Sequence, residues 1–181
     1  MNAFTRFNVD HLSASSLNLY AAEPALWVME RLIGLKSSSS AIMARGKAVE
    51  AGVHLALTRP SLTIDAAIAE ALREYDREMA LNPDPNREDE KANIAGYVTH
   101  AAEELRQYGM PTAYQDKVSV TLEGVPVPII GYIDWRFDQH GIIVDLKTSE
   151  RLPSGISSAH GRQGAVYVNA HGNYGMRFAY A

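Results

Sequence analysis

The stretch that decides the fold is GYIDWRFDQHGIIVDLKTSE, residues 131–150. It is typical of two strands around a short turn near residues 139–141, and the second strand opens with the apolar run IIV. Asp145 and Lys147 follow without a break in the strand pattern. Because side chains alternate between the two faces of a strand, Asp145 and Lys147 point the same way, about 6 to 7 Å apart along the strand. An apolar strand therefore ends in two charged groups on one face.

A second carboxylate is predicted beside Asp145. Asp134 precedes the turn, and a hairpin closed at residues 139–141 brings it onto the neighbouring strand. Two carboxylates at one place repel each other unless a cation lies between them or one is protonated. A hard divalent cation such as Mg²⁺ or Mn²⁺ prefers carboxylate and carbonyl oxygens. Asp134, Asp145 and the backbone carbonyl of Leu146 are therefore candidate metal ligands.

Lys147 has a candidate role beside such an ion. Its ammonium group can orient a water molecule or stabilise negative charge on an attacked phosphate. The alternative for Asp145 and Lys147 is a surface ion pair at a strand end, which contributes little to stability.

A helix predicted over residues 41–57 adds Glu50 and His54, which are one turn apart and face the same side. We expect Glu50 to be a third metal ligand and His54 an auxiliary ligand. The alternative is a partly exposed Glu–His pair. Gly46 and Gly52 in the same helix would let another backbone come close.

A later helix carries Gln163 and Tyr167, again four residues apart. An amide and a phenol on one helix face can hydrogen-bond a phosphate or a metal-bound water. The alternative is a helix that covers the sheet, with Tyr167 half buried through its ring.

The remaining segments set the fold class. We predict an α/β fold in which one central mixed sheet is flanked by helices. The final segment reads as a strand, and because packing partners normally follow a strand, we expect the chain to be a truncated form of a longer protein. Pro126 and Pro128 cannot donate to a ladder, which favours a sheet edge for that portion. Helices are predicted over 11–35 (split at Pro24), 41–57, 64–81, 87–108 and 160–172, and strands over 114–122, 126–137, 142–149 and 175–181.

Composition excludes several classes of protein. The 181 residues include no cysteine, so a disulfide framework, a cysteine nucleophile, thiolate zinc sites and cysteine-ligated iron–sulfur clusters are excluded. The net charge of −4 gives no overall basic field, so a polyanion needs a local basic patch or metal ions. No signal peptide or run of about 20 apolar residues is present, and we expect a soluble, cytoplasmic protein with no membrane partner.

Five segments, in this order, carry a resemblance to a known family: LSASSLNLY (12–20), GKAVEAGVH (46–54), GYIDWRFD (131–138), VDLKTS (144–149) and QGAVY (163–167). The set resembles the PD-(D/E)XK nuclease superfamily in its RecB-like exonuclease branch, and phage or prophage recombination nucleases in particular. The resemblance implies a restriction-endonuclease-like core, with residues 1–181 as a single nuclease domain and a helical insertion at about 64–108.

The resemblance also implies roles for individual residues. Glu50 stands at an acidic or histidine position on the first core helix, where many RecB-like members have histidine. Asp134 matches the metal-bridging acid, and Asp145 and Lys147 match the acid–lysine pair. Some relatives hold an iron–sulfur cluster on four cysteines, which this chain lacks. Substrate contacts are predicted for Ser13, Ser15, Ser16, Thr148, Ser149, Arg162, Gln163 and Tyr167, and a basic rim for Arg45, Lys47, Arg151 and Arg177.

These features predict a nuclease that uses Mg²⁺ or Mn²⁺ to hydrolyse DNA phosphodiester bonds in recombination, repair or phage DNA processing. We expect an exonuclease, because the resemblance leans that way and the chain shows no separate target-recognition domain. A catalytically silent nucleic-acid-binding domain of the same fold, and a nuclease acting on RNA, are the alternatives. DNA is the expected partner; a recombination protein or a second copy of the chain are further possible partners.

Overall fold

The structure, a computed structural model, describes residues 2–35 and 38–181. It confirms the predicted helices and strands to within a few residues, and it adds a short N-terminal helix and a two-residue strand that were not predicted. The helices are α1 Ala3–Arg6, α2 Ala14–Ala22, α3 Pro24–Val28, α4 Ala41–Thr58, α5 Ile64–Glu78, α6 Arg87–Arg106 and α7 Ser158–His171. The strands are β1 Leu12–Ser13, β2 Ala113–Val120, β3 Ile129–Phe137, β4 Ile142–Lys147 and β5 Gly175–Tyr180.

Local signals explain where the first helices begin. Ser13 caps α2 by accepting a hydrogen bond from the Ser16 amide, and the Ser16 hydroxyl accepts one from the Ser13 amide. Pro24 opens α3, because its missing N–H costs nothing in the first turn of a helix. One turn of π-helix, Met29–Ile33, then ends at Gly34, whose φ of 81° suits glycine.

Three long helices follow, and α4 packs closely on α5. Ser40 caps α4 and Thr63 caps α5, each through its side-chain oxygen. A Cβ at Gly52 would lie 2.8 Å from the backbone oxygen of Ala67, which confirms the predicted close approach at this position. A Cβ at Gly46 would meet only the side-chain Oγ1 of Thr148, at 4.0 Å, so the close approach of another backbone predicted there is wrong. The helices α4, α5 and α6 share a hydrophobic core with β3 and β4. Its fully buried side chains include Val49, Val53, Ile94, Val98, Trp135 and Val144.

The sheet is mixed, as predicted. Its strand order is β1-β3-β4-β5, and β2 also pairs with β3. Strand β1 runs parallel to β3, while β3 and β4 are antiparallel with Trp135 opposite Val144. A single 3₁₀ turn at Asp138–His140 and Gly141, with a φ of 59°, close the hairpin where the turn was expected. The protein is thus an α/β structure with a mixed central sheet flanked by helices.

The two prolines expected at a sheet edge precede β3 instead. The strand begins at Ile129, after both Pro126 and Pro128, and it has partners in β1 and β4. The carbonyl of Pro128 accepts a hydrogen bond from the Leu12 amide. Pro128 therefore contributes to the sheet only as a hydrogen-bond acceptor, since proline has no N–H to donate.

Contacts divide the described chain into two compact units. One comprises residues 2–35, 115–133 and 153–176, and the other comprises 38–114, 134–152 and 177–181. The single nuclease domain with an insertion at 64–108 stays a prediction. Among residues 2–35 and 38–181, no helix combines the length and apolar character needed to cross a bilayer.

Candidate functional site

Two aspartates lie where the paired part of the β3–β4 hairpin ends. Trp135 of β3 lies opposite Val144 of β4. Next to this pair, on the side away from the turn, each strand carries an acid: Asp134 on β3 and Asp145 on β4. The Asp134 Oδ2 accepts a hydrogen bond from the Leu146 backbone amide at 2.8 Å. A side chain of one strand is thereby tied to the backbone of the other. The expected juxtaposition of the two acids on adjacent strands is present.

Asp145 is buried, with 1% of its surface exposed. Its Oδ2 lies 2.5 Å from the Lys147 Nζ, and the side chain of Lys147 is itself only 25% exposed. The same ammonium lies 5.9 Å from the centre of the Phe178 ring. This is therefore a largely buried ion pair and not the surface pair considered as an alternative.

The charges of three carboxyl groups act on one another here. Burial raises the pKa of Asp134 well above its usual range, and the charges of Asp145 and Glu50 raise it further. The Leu146 amide and the Lys147 ammonium oppose this rise in the pKa. Asp134 is therefore an acid whose ionised form lacks sufficient positive charge around it.

Glu50, on α4, is the third acid whose charge acts on Asp134. The side chain of Tyr114, at the start of β2, is hydrogen-bonded to Glu50. Burial raises the pKa of the Tyr114 phenol, and so do the charge of Glu50 and the hydrogen bond between the two side chains. The phenol therefore remains protonated and donates to the Glu50 carboxylate. The next residue, Gln115, has a φ of 50°, a conformation that costs energy for any residue except glycine.

His54 lies one turn after Glu50, enclosed by aromatic rings. Its ring stacks on Tyr114 with centroids 3.7 Å apart and planes 14° apart. The Trp135 indole Nε1 donates to the His54 Nδ1 at 3.4 Å, which requires that nitrogen to be unprotonated. Burial lowers the pKa of His54, in agreement with a neutral imidazole. The Nδ1 of His54 is thus already engaged by the protein.

A buried arginine holds the end of β4. Arg45 is 3% exposed and pairs with Glu90 of α6, which is 7% exposed. Its Nη2 also donates to the carbonyl and hydroxyl oxygens of Thr148, at 3.4 and 3.3 Å. Its guanidinium lies 4.8 Å from the centre of the Tyr97 ring. Arg45 therefore fixes the residue after Lys147, and its expected place in an exposed basic rim is wrong.

Two other expected rim residues, Lys47 and Arg177, also have side-chain partners. Lys47 pairs with Glu78 at 2.6 Å. Arg177 hydrogen-bonds the Tyr108 hydroxyl and lies 3.9 Å from Glu104. The Ser149 hydroxyl donates to the Arg151 carbonyl at 2.7 Å.

The predicted substrate contacts of the N-terminal segment and α7 belong to the other compact unit. Ser13 caps α2 and lies 2.9 Å from the Ser15 hydroxyl. The Arg162 Nε donates to Asn18 at 2.5 Å. These three side chains are thus engaged in the local structure around α2.

Tyr167 is 4% exposed and packs against β3, where a Cβ at Gly131 would lie 2.5 Å from its ring. Its hydroxyl donates to the Tyr132 carbonyl at 2.6 Å and receives a bond from the Gln163 amide at 2.9 Å. This burial matches the alternative in which α7 covers the sheet with the tyrosine ring.

The comparison with protein families agrees with this arrangement. A family model described as the PD-(D/E)XK nuclease superfamily matches residues 11–174. The chain belongs to the PD-(D/E)XK nuclease superfamily. No curated protein and no solved structure matches it. Superfamily membership implies nuclease activity on nucleic acid, and nucleases of this superfamily generally use divalent metals such as Mg²⁺ or Mn²⁺.

The donor set of this PD-(D/E)XK chain fits such an ion. In the part of the chain that the structure describes, no three histidine, aspartate or glutamate side chains are already gathered around one ion position. Mg²⁺ is usually held by one or two carboxylates and keeps several waters. Asp134 and Asp145 satisfy that requirement, and the raised pKa of Asp134 is the feature that a divalent cation would relieve.

Two contributors to this site were not found by sequence reasoning. The sequence predicts a strand at Tyr114 and a basic rim at Arg45, and neither prediction indicates a role in this site. Their partners, Glu50 for Tyr114 and Glu90 for Arg45, lie far away along the chain. No short-range pattern signals such pairs.

Proposed function

We propose that this protein is a Mg²⁺- or Mn²⁺-dependent deoxyribonuclease of the RecB-like branch that acts as an exonuclease. The observation that carries the proposal is the placement of Asp134 and Asp145 on adjacent strands, with Asp145 buried and paired to Lys147. The raised pKa of Asp134 agrees with it. Clustered acids disfavour a polyanion on their own, so a binding domain gains nothing from them, whereas a metal-dependent hydrolase requires them.

The metal ligands proposed are Asp134, Asp145, Glu50 and the Leu146 carbonyl. In a strand, the N–H and C=O of one residue point to the same edge. The Leu146 amide bonds Asp134, so its carbonyl also faces the side of β3. His54 is a weaker candidate, because its Nδ1 is taken by Trp135.

When bound, the metal would supply Lewis-acid polarisation of the phosphate and a lower pKa for an attacking water. The residues of the chain supply orientation and charge. Lys147, kept in place by Asp145, is positioned to stabilise negative charge that develops on the phosphate. Tyr114 holds one face of Glu50 by its hydrogen bond, and Arg45 holds the strand end through Thr148.

Further roles extend the proposal. The proposed substrate contacts are Thr148, Ser149, Ser13, Ser15, Arg162 and Gln163. Tyr167 is a weaker candidate, because its ring is buried and its hydroxyl already donates to the Tyr132 carbonyl. The exonuclease mode, and a role in recombination, repair or phage DNA processing, are supported by the resemblance to RecB-like phage nucleases.

The test is cleavage of linear duplex, single-stranded and closed circular DNA, and of RNA, with Mg²⁺ or with EDTA. We expect release of nucleotides from linear DNA with Mg²⁺ alone, and a loss of rate of about 10²-fold or more for Asp145→Ala and Lys147→Ala. Asp138→Ala on the same hairpin and Lys91→Ala on α6 are matched controls at exposed ion pairs. Full activity of the Asp145 and Lys147 variants would refute the assignment of the site. Nicking of circular DNA would refute the exonuclease mode, and cleavage of RNA alone would refute the DNA substrate.

A further inference from the structure

A cavity of about 510 Å³ lies beside Tyr114, the tyrosine bonded to Glu50, in the compact unit that contains the candidate site. Its volume is within the range of small-molecule binding sites. Two apolar side chains of α4 contribute to its wall. The side chains that matter for recognition are His54, Arg59, Leu62, Glu70, Arg73 and Tyr114.

Tyr114 connects this cavity to the site. Its ring lines the cavity, and its hydroxyl is bonded to Glu50. A molecule in the cavity is therefore separated from a candidate metal ligand by one side chain. The cavity is next to the proposed reaction centre, but the nuclease mechanism proposed above assigns no function to the cavity.

The charged residues of the cavity favour an anion. Two guanidinium groups, Arg59 and Arg73, line it against one carboxylate, Glu70. Arg73 directs its Nε and Nη2 to a single Glu70 oxygen, at 3.2 and 2.5 Å, and this pair is exposed, so it is weak and exchangeable. Within residues 2–35 and 38–181, the side chain of Arg59 makes no hydrogen bond or ion pair. Guanidinium groups match the geometry of phosphate.

The uncharged residues favour a flat apolar ring. The stacked rings of Tyr114 and His54 form one part of the wall, and Leu62, which is 37% exposed, lies in another. Bases bind to aromatic side chains by stacking regardless of their identity. A simple inorganic anion would leave this wall unused, whereas a nucleotide has both a phosphate and a ring.

We propose that this cavity holds one unpaired nucleotide of the substrate strand, with its base against Tyr114 and Leu62 and its phosphate on Arg59 and Arg73. The inference rests on the proposed nuclease function and specifies the substrate further. A base inside a cavity is outside the duplex stack. The strand that is cut must therefore be single-stranded, or frayed at its end, next to the reacting phosphate.

The first experiment measures binding of thymidine 5′-monophosphate by calorimetry, in Mg²⁺, to the full chain. This mononucleotide contains no phosphodiester bond, so hydrolysis does not interfere. We expect saturable binding that weakens at least tenfold in Arg59→Ala and in Arg73→Ala. Arg77→Ala is the matched control, because Arg77 forms the same i,i+3 ion pair with Glu74 one turn further along α5 but does not line the cavity. Equal binding by the Arg73 and Arg77 variants would overturn the proposal.

The second experiment tests the place of the base. Leu62→Trp fills the cavity from its rim with little risk to the core, and we expect it to abolish nucleotide binding. Inorganic phosphate, titrated in parallel, is expected to bind at least tenfold more weakly than the nucleotide. Equal affinity for phosphate, or unchanged nucleotide binding in Leu62→Trp, would show a plain anion site and overturn the proposal.

Failure of this inference is distinguishable from failure of the proposed function. If the wild-type protein degrades DNA while Arg59→Ala and Arg73→Ala bind the mononucleotide like wild type, the cavity proposal is wrong and the nuclease stands. If the mononucleotide binds as expected but no nucleic acid is cleaved, the nuclease proposal is wrong and the nucleotide site stands.

Discussion

The Asp134 carboxylate of β3 accepts a hydrogen bond from the Leu146 amide of β4 at 2.8 Å. This bond holds an acid next to Asp145, although burial and the charges of Asp145 and Glu50 oppose its ionisation. The hairpin thus holds Asp134 where its ionised form is electrostatically unfavourable. We expect this to lower the stability of the metal-free protein.

Asp134 should make the metal-free protein less stable as pH rises. Folding raises its pKa above the value of about 3.9 for an unfolded aspartate, so the folded state keeps a proton that the unfolded chain releases. The stability due to this group is fully present below about pH 3.9 and is lost as pH rises through the raised pKa. We expect Asp134→Asn to remove this loss, which is at most about 1.4 kcal/mol per pH unit.

Urea denaturation in EDTA at a series of pH values measures this effect. Asp65→Asn, at an exposed position on α5, is the control. A wild-type protein whose pH dependence equals that of Asp134→Asn would contradict the prediction.

Divalent metal should reverse this trend. Mg²⁺ binds ionised carboxylates, so its stabilising effect grows as pH rises. We expect the rise in melting temperature on adding Mg²⁺ to be larger at pH 8 than at pH 5, and to be absent in Asp145→Asn. Scanning calorimetry with NaCl at matched ionic strength is the control. An equal rise with NaCl would show screening in place of binding.

Removing Arg45 alone should be costly. Arg45→Met leaves Glu90 buried without its cation, and breaking a buried pair costs about 3–5 kcal/mol. The double variant Arg45→Met, Glu90→Met should recover most of the loss in the free energy of unfolding, because it buries no lone charge. Lys91→Met, which breaks the more exposed pair with Asp76, should cost about 0–1 kcal/mol. Denaturant titration compares these three variants with the wild-type protein. A double variant as unstable as Arg45→Met would contradict the prediction.

Two helical glycines should respond in opposite directions to alanine. In Gly52→Ala the new methyl group would meet the Ala67 oxygen at 2.8 Å and the Ala71 Cβ at 2.9 Å, so α4 and α5 must separate. At Gly96, in α6, no such atom lies within 4 Å, and Gly96→Ala should stabilise by about 0.5–1 kcal/mol. Thermal unfolding compares the two variants. Equal shifts in melting temperature would show that the close packing at Gly52 is absent.

Tyr114→Phe should weaken metal binding while the stack on His54 remains. The variant removes only the hydroxyl that is bonded to Glu50. Loss of a group that orients a metal ligand typically costs about 10–100-fold in metal affinity or activity. We expect the Mg²⁺ concentration for half-maximal cleavage to rise about tenfold or more. Tyr97→Phe, a tyrosine of α6 beside Arg45, is the control, and equal Mg²⁺ dependence of both variants would exclude this role for Tyr114.

Much of the hairpin could be predicted because its determinants are local. A two-residue period and a glycine-containing turn define the β3–β4 register, and that register places Asp134 near Asp145. The placement of Glu50 and His54 on one face of α4 also follows from helix geometry. His54 itself was harder to predict, because its environment depends on Tyr114 and Trp135, which come from two other elements.

Sequence alone thus determined the element order, the hairpin and the order of the acids along the chain, since these depend on periods and turns that extend over a few residues. Tertiary structure decided that Arg45 is buried against Glu90, that Tyr114 is bonded to Glu50 and that Arg59 and Arg73 line one cavity. The physical reason is that burial and charge coupling depend on distances in space. Those distances are set by the packing of helices and strands that lie far apart in the chain.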